Sequence, residues 1–285
     1  MDAELIWDAG CQLGEGALWA HDLLWFFDIT GKRLYRCDAE GHDRRHWDLP
    51  VMASAAAQAG DGTLLIATEL EIARFDPVTG ALGILADLEA DTPQNRSNDG
   101  RADRHGGFWI GTMGKAAEPA AGAIYRYARR SVTRLREGVS IPNAICFSPD
   151  GGLAYFADTA RQVIWKWPLD DDGDPLGEPQ VFRDLSAEGL YPDGAVIDAE
   201  GAMWLALWGA GRAIRILPDG RTVDEVRVGV PNVTCPALGP DGRLYLTTAR
   251  QGLTAEQLAD HPASGGVFRA VVEVPGLPGP ELRLR

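Results

Sequence analysis

Apolar and polar positions alternate along this chain in short runs, and the runs repeat. A turn, usually Asp-Gly, opens each copy. An aromatic or aliphatic strand follows, and then a second short strand carrying an aromatic residue or Arg. Six copies are legible: HDLLWFFDI with RLYRCD, GDGTLLIAT with IARFD, RHGGFWIGT with AIYRY, PDGGLAYFAD with VIWKW, AEGAMWLAL with AIRIL, and PDGRLYLTT with GVFRA. Period-two alternation marks a half-buried strand, and Asp-Gly suits a hairpin because Gly accepts positive φ. The turn residues Asp22, Asp61, His105, Asp150, Glu200 and Asp241 recur at roughly 40–50 residues, the interval of propeller blades. The pattern predicts an all-β, six-bladed β-propeller that takes up residues 1–285 as one domain. Thr254 and Gln257 form a capping box, which predicts a short helix at LTAEQLAD inside the last blade. The head ELIWDA and the tail VFRAVVEVPGLPGPELRLR are candidates to pair and close the ring, with the strands that do so left open.

A propeller gathers its innermost strands around one axis, so a ligand site there needs polar residues in register. Seven residues before each turn residue stand Glu15, Ser54, Asn98, Asn143, Asp193 and Thr234. All six are polar, and the register predicts that they face one axial cavity. Two carboxylates with amide oxygens make a hard-oxygen cation site with positions left open for water or substrate. The competing reading is a set of polar groups satisfying one another around a water-filled channel.

Charge and composition narrow the partners. A net charge of −14 at pH 7 repels phosphate backbones and anionic lipids, which argues against nucleic acid and membrane. No secretory signal opens the sequence and no apolar run is long enough to span a bilayer. Cys11, Cys37, Cys146 and Cys235 form no C-x-x-C pair and read as free, buried thiols in a reducing cytoplasm. His42 and His46 read as solvated, and His105 as a turn residue. There is no nucleophile elbow, P-loop or dinucleotide fingerprint, so a metal-activated water is the natural nucleophile.

These residues lie in segments that resemble the gluconolactonase, senescence-marker-protein (regucalcin) and luciferin-regenerating-enzyme family. The matching stretches are LGEGALW, NRSNDGRAD, FWIGTM, AIYRY, IPNAICFSPDG, YFADT, YPDGAVID, MWLALWG and VTCPALG, in family order. YPDG and ALWG resemble bacterial aldono- and pentonolactonases most. The resemblance implies a six-bladed propeller with one divalent cation on its axis, held by Glu15, Asn143 and Asp193. Calcium is favoured over zinc, manganese, magnesium and ferrous iron, because every proposed ligand atom is oxygen. It also implies that Arg96 and Asn98 contact substrate, with Glu118 as the acidic residue after G-T-M. The expected reaction is hydrolysis of a sugar lactone to its aldonic acid by a cytoplasmic monomer or small homo-oligomer. Asp193 is the expected general base and Asp99 its alternative, while Trp208 reads as packing between blades. The rival functions are a non-catalytic cation-binding propeller and a metal-dependent esterase or phosphotriesterase.

Overall fold

Each repeat folds as a four-stranded antiparallel sheet, and six such sheets stand in a ring. The computed structural model describes residues 1–282. Five blades are consecutive meanders whose inner strands are Gly14–Ala20, Ala53–Gln58, Asn95–Ala102, Pro142–Phe147 and Tyr191–Ile197. The sixth is composite. Val233–Leu238, Arg243–Thr248 and Val267–Val271 supply three strands, and Glu4–Trp7 from the other end of the chain adds the outermost one. Head and tail therefore do close the ring, through Glu4 opposite Arg269 and Leu5 opposite Phe268. The last residues of the predicted tail, 283–285, lie outside the described residues. The capped helix is present as Ala255–Asp260, with both capping-box hydrogen bonds formed, between the second and third strands of the sixth blade.

The core is divided. Six hydrophobic clusters form among the described residues, one between each pair of neighbouring blades. A blade is thus covered on both faces, and its second strand is buried throughout, as in Leu64–Thr68. Half-buried alternation is therefore the wrong picture for the inner layers. The outermost strands, such as Leu82–Asp87 and Ser131–Val139, are instead mostly exposed. Two blades also carry a buried ion pair from the second half of the repeat back to the hairpin turn. These pairs are Arg126 Nε to Asp103 and Arg215 Nε to Asp198, each 2.7 Å. All four cysteines are buried and free. No helix among the described residues is long and apolar enough to cross a membrane.

The two ends of the axis differ. At one end the inner strands begin and open onto a cavity. At the other, the chain after the last strand crosses the ring as a strap. Gly276 N–H donates to Gly239 O (2.9 Å), Ala199 N–H to Pro275 O (2.9 Å) and Leu282 N–H to Gln58 O (2.9 Å). Beneath that strap only about 90 Å³ remains, beside the buried guanidinium of Arg101.

Ring closure depends on Trp7, which packs edge-on against Phe26 (5.3 Å) and Tyr35 (5.4 Å) of the first blade. Trp7→Ala is expected to lower unfolding free energy by roughly 3–5 kcal/mol, the usual cost of truncating a buried aromatic. Denaturant unfolding measures it, and a loss below about 1 kcal/mol would show that the closing strand is not anchored there.

Candidate axial site

Every inner strand slips register where it reaches the open end of the axis. The shifts fall at Glu15/Leu18, Ala53/Ala55, Ser97/Gly100, Asn143/Cys146, Pro192/Ala195 and Val233/Pro236. A bulge re-aims the side chain it carries, and here it turns polar residues inward. Glycines make the approach feasible. Gly16 has φ of 59°, and a β-carbon there would run into the carbonyl oxygen of Ser54 in the next blade. A β-carbon on Gly194 would lie 2.8 Å from Cys235 Sγ. The G-E-G and P-D-G motifs are thus crowding motifs, each leaving its acid pointed at the axis.

Four of the six in-register residues, Glu15, Asn98, Asn143 and Asp193, line one cavity of about 420 Å³, together with Arg96 and Thr159. Ser54 and Thr234 do not. Ser54 donates its hydroxyl to Ser97 Oγ (2.7 Å), and Thr234 donates to Gly14 O (2.5 Å). Both satisfy neighbouring blades instead, which corrects the expectation of six residues facing the cavity. The walls are mostly apolar: Leu13, Met113, Ala117, Ile141, Ala160, Tyr191 and Trp208, with Gln251 as a polar exception. Trp208 packs against the core of the first and second blades, as expected, and also faces the cavity as part of its wall.

The floor is acidic and dry. Glu15 and Asp193 are each 5% exposed, and their carboxyls come within hydrogen-bonding reach of one another. Burial, and then the Asp99 charge, raises the Glu15 carboxyl from 4.5 to about 7, against the pull of the Gly16 N–H. Burial, and then Glu15 itself, raises Asp193 well above the usual carboxylate range. Two carboxylates so placed share a proton unless a cation stands between them. Burial lowers the Arg96 pKa, and Glu15 and Asp193 oppose that shift.

The amides are held in a chain. Arg96 Nη1 donates to Ser97 O and to Asn98 Oδ1 (both 2.8 Å). Asn98 Nδ2 donates to Pro142 O (2.9 Å) and to Asn143 Oδ1 (3.1 Å). Both Asn98 donors are therefore spent on protein, so Asn98 can offer a ligand only its oxygen. Asp99 lies in the bulged strand, not in a turn, and accepts from Ile145 N–H (2.7 Å) and Gly100 N–H (2.8 Å). It does not line the cavity. Glu118 stands on an exposed loop, its carboxylate accepting from Ala116 N–H (3.1 Å). Of that loop it is Ala117 that lines the cavity. The wall residues Met113, Tyr191 and Gln251 and the floor residue Thr159 were not singled out from sequence. Their only signal was membership of, or nearness to, the recognised segments.

No group of three or more His, Cys, Asp or Glu converges among the described residues. The donor set on the floor is oxygen throughout: two carboxylates and the amide oxygen of Asn143. Such a set fits a hard divalent cation and suits neither a thiolate nor an imidazole site. The paired, buried negative charge is the observation that makes the fit, because a cation removes the repulsion that otherwise traps a proton.

The profile of the SMP-30/Gluconolactonase/LRE-like region matches residues 13–250. The chain belongs to this family. Within it, an L-arabinolactonase of Azospirillum brasilense is 37% identical over 282 residues, covering 96% of this chain and 93% of the relative. A 6-deoxy-6-sulfogluconolactonase of Pseudomonas putida is 34% identical over 275 residues, covering 94% of each. The crystal structure of a calcium-binding protein, regucalcin, from Agrobacterium tumefaciens superposes with a TM-score of 0.96 at 39% identity. That match covers 100% of this chain and 98% of the other. The SMP-30/gluconolactonase relatives named as lactonases cleave a ring ester, and the expectation of an enzyme of the ester-hydrolase class stands with them.

The acidic pair makes stability depend on pH when cation is chelated. The Glu15 carboxyl, raised above its unfolded value, contributes stability that is fully present below about 4.5 and is lost as pH rises through about 7, and the raised Asp193 acts in the same direction. Chelator-treated protein is expected to lose on the order of 3 kcal/mol more between about pH 5 and 8 than the Glu15→Gln/Asp193→Asn double variant. Urea unfolding at the two pH values checks this, and equal losses would mean that the pair is not strained.

Proposed function

We propose that this protein hydrolyses a neutral sugar lactone to the aldonic acid, using a divalent cation held by Glu15, Asn143 and Asp193. The observation that carries the reading is the convergence of those three side chains on the floor of a cavity with apolar walls. Lactonase relatives in the same family support it. The oxygen-only donor set and the name of the regucalcin structure favour calcium, although three oxygen donors also accept zinc, manganese, magnesium or ferrous iron. When bound, the cation supplies a Lewis acid that polarises the ring carbonyl and stabilises the developing oxyanion.

The chain's own residues do the rest. The Arg96 guanidinium donates to ring hydroxyls, and Asn98 Oδ1 accepts from them, so the two fix orientation rather than move protons. Asp193 takes a proton from the attacking water as the carbonyl carbon gains oxygen and the ring C–O bond breaks. The alkoxide so released is protonated, leaving a hydroxy acid. Asp99 is the weaker candidate for base, because its oxygens are engaged by backbone N–H groups outside the cavity. Glu118 reaches substrate only if its loop turns inward. Tyr191, Trp208 and Met113 cover the C–H faces of the sugar and exclude water. Arg96 is the sole cation among the described lining residues, so the mouth offers no partner to a second anionic group on the substrate.

A panel of aldono-1,4- and 1,5-lactones, followed by proton release before and after chelation, tests the reading. Neutral lactones are expected to be hydrolysed, with activity lost on chelation and restored by one divalent metal. Lactones carrying a sulfonate or carboxylate are expected to be poorer substrates. Turnover of aryl esters without lactones would favour the esterase reading, and turnover of neither would favour a cation-binding scaffold.

Asp193→Asn separates ligand from base, since the amide still offers an oxygen but has no basicity. Cation affinity is expected to fall, and at saturating metal the rate is expected to stay ~10²–10⁴-fold below native. Near-native turnover at full occupancy would remove the base role from Asp193.

A further inference from the structure

Thr159 opens the short 3-10 turn Thr159–Arg161 after the second strand of the fourth blade, and its side chain is buried on the cavity floor. A hydroxyl has one proton to give and lone pairs to receive with. Thr159 Oγ1 lies 2.7 Å from the carbonyl oxygen of Pro192, which can only accept, so the proton is committed there. Its other partner is the Asn143 side-chain amide at 2.8 Å. Toward that amide Thr159 can only accept. Asn143 therefore presents its N–H2 to Thr159 and its oxygen to the site.

The other side of Asn143 agrees independently. Arg96 can only donate, so the Asn98 atom 2.8 Å from its Nη1 is the amide oxygen. The Asn98 nitrogen is then the atom facing Asn143 Oδ1 and Pro142 O. Proton direction runs one way along the whole line, from Arg96 through Asn98, Asn143 and Thr159 to Pro192 O. The line ends on the carbonyl of the residue immediately before Asp193. It thus spans three blades and ties one of the three side chains assigned to the cation, Asn143, to the backbone next to a second, Asp193.

We propose that Thr159 is a positioning residue for the cation site. Its hydroxyl locks the Asn143 amide with the oxygen inward, and it ties Asn143 to the backbone that carries Asp193. The proposal rests on the reading of Glu15, Asn143 and Asp193 as cation ligands. Without the hydroxyl, nothing at that end distinguishes the two faces of the amide, and an inverted Asn143 would aim N–H groups at a cation.

The test is cation affinity, measured by calorimetry with calcium and by terbium luminescence on chelator-treated full-length protein. Thr159→Val keeps the shape and removes the hydroxyl, and it is expected to weaken binding ~10–100-fold, as loss of a ligand-orienting hydrogen bond does. Thr159→Ser keeps the hydroxyl and is expected to bind within about threefold of native, short of the loss that removal of the hydroxyl brings. Thr159→Ala is the second hydroxyl-free variant if the valine protein does not fold. An Asn143→Asp background has no N–H2 to orient, so there removal of the hydroxyl is expected to cost little. A merely structural role would weaken both backgrounds alike. Native affinity in Thr159→Val, or equal losses in the Asn and Asp backgrounds, overturns the positioning role alone. Failure of the native protein to bind either ion, or zinc, manganese, magnesium or ferrous iron in the same calorimetry, overturns the cation reading and this proposal with it.

Discussion

Six sheets that converge on one line run out of room at the line. Strands in a sheet lie nearly 5 Å apart, and the innermost ones of facing blades must pass closer than ordinary side chains permit. The chain meets this by bulging each inner strand at its start and by removing β-carbons where backbones collide. Gly16 slides under the Ser54 carbonyl, and Gly194 under Cys235. The space left on the axis is a cavity of about 420 Å³, open at the end where the inner strands begin. A polar side chain that a bulge turns into it has few partners besides the other blades' polar side chains.

That confinement produces the chemistry. Glu15 and Asp193 come from the first and fifth blades, far apart in sequence, and meet where burial disfavours the charge of each. Each disfavours the charge of the other, and a third carboxylate, Asp99, is buried nearby. Arg96 at the cavity and Arg101 deeper in the axis oppose this charge without cancelling it. Arg101 is tied to carbonyls of two blades, Ala17 O at 3.2 Å and Ala195 O at 3.0 Å, and so also braces the ring from within. Of these five side chains, three are acids and two are arginines.

Much of this was legible beforehand because repetition carries information. Six equivalent turns place six equivalent residues, and the acids and amides among them proved to line the cavity. The capping box at Thr254 worked because its hydrogen bonds are local. What repetition cannot supply is which way a side chain turns once neighbours compete for it. Ser54 and Thr234 occupy the right register and satisfy adjacent blades, since short hydroxyls reach nearby oxygen more readily than the axis. Asn98 is on the axis but has given away its donors. Thr159 belongs to no repeat position, and only a proton count around Asn143 makes it stand out. The strap around Gly276 was invisible because a Gly-Pro-rich segment has no period to read.

The composite sixth blade has a consequence for how the protein comes to exist. Among the described strands Glu4–Trp7 comes first in the chain, yet its partner, Val267–Val271, comes last. Blades one to five can zip up as they leave the ribosome, each from contacts close in sequence. The first strand must wait, unpaired, until nearly the whole chain has been synthesised. Glu15 and Asp193 therefore face one another only in the finished ring, and an arc of five blades has no axis for them to share.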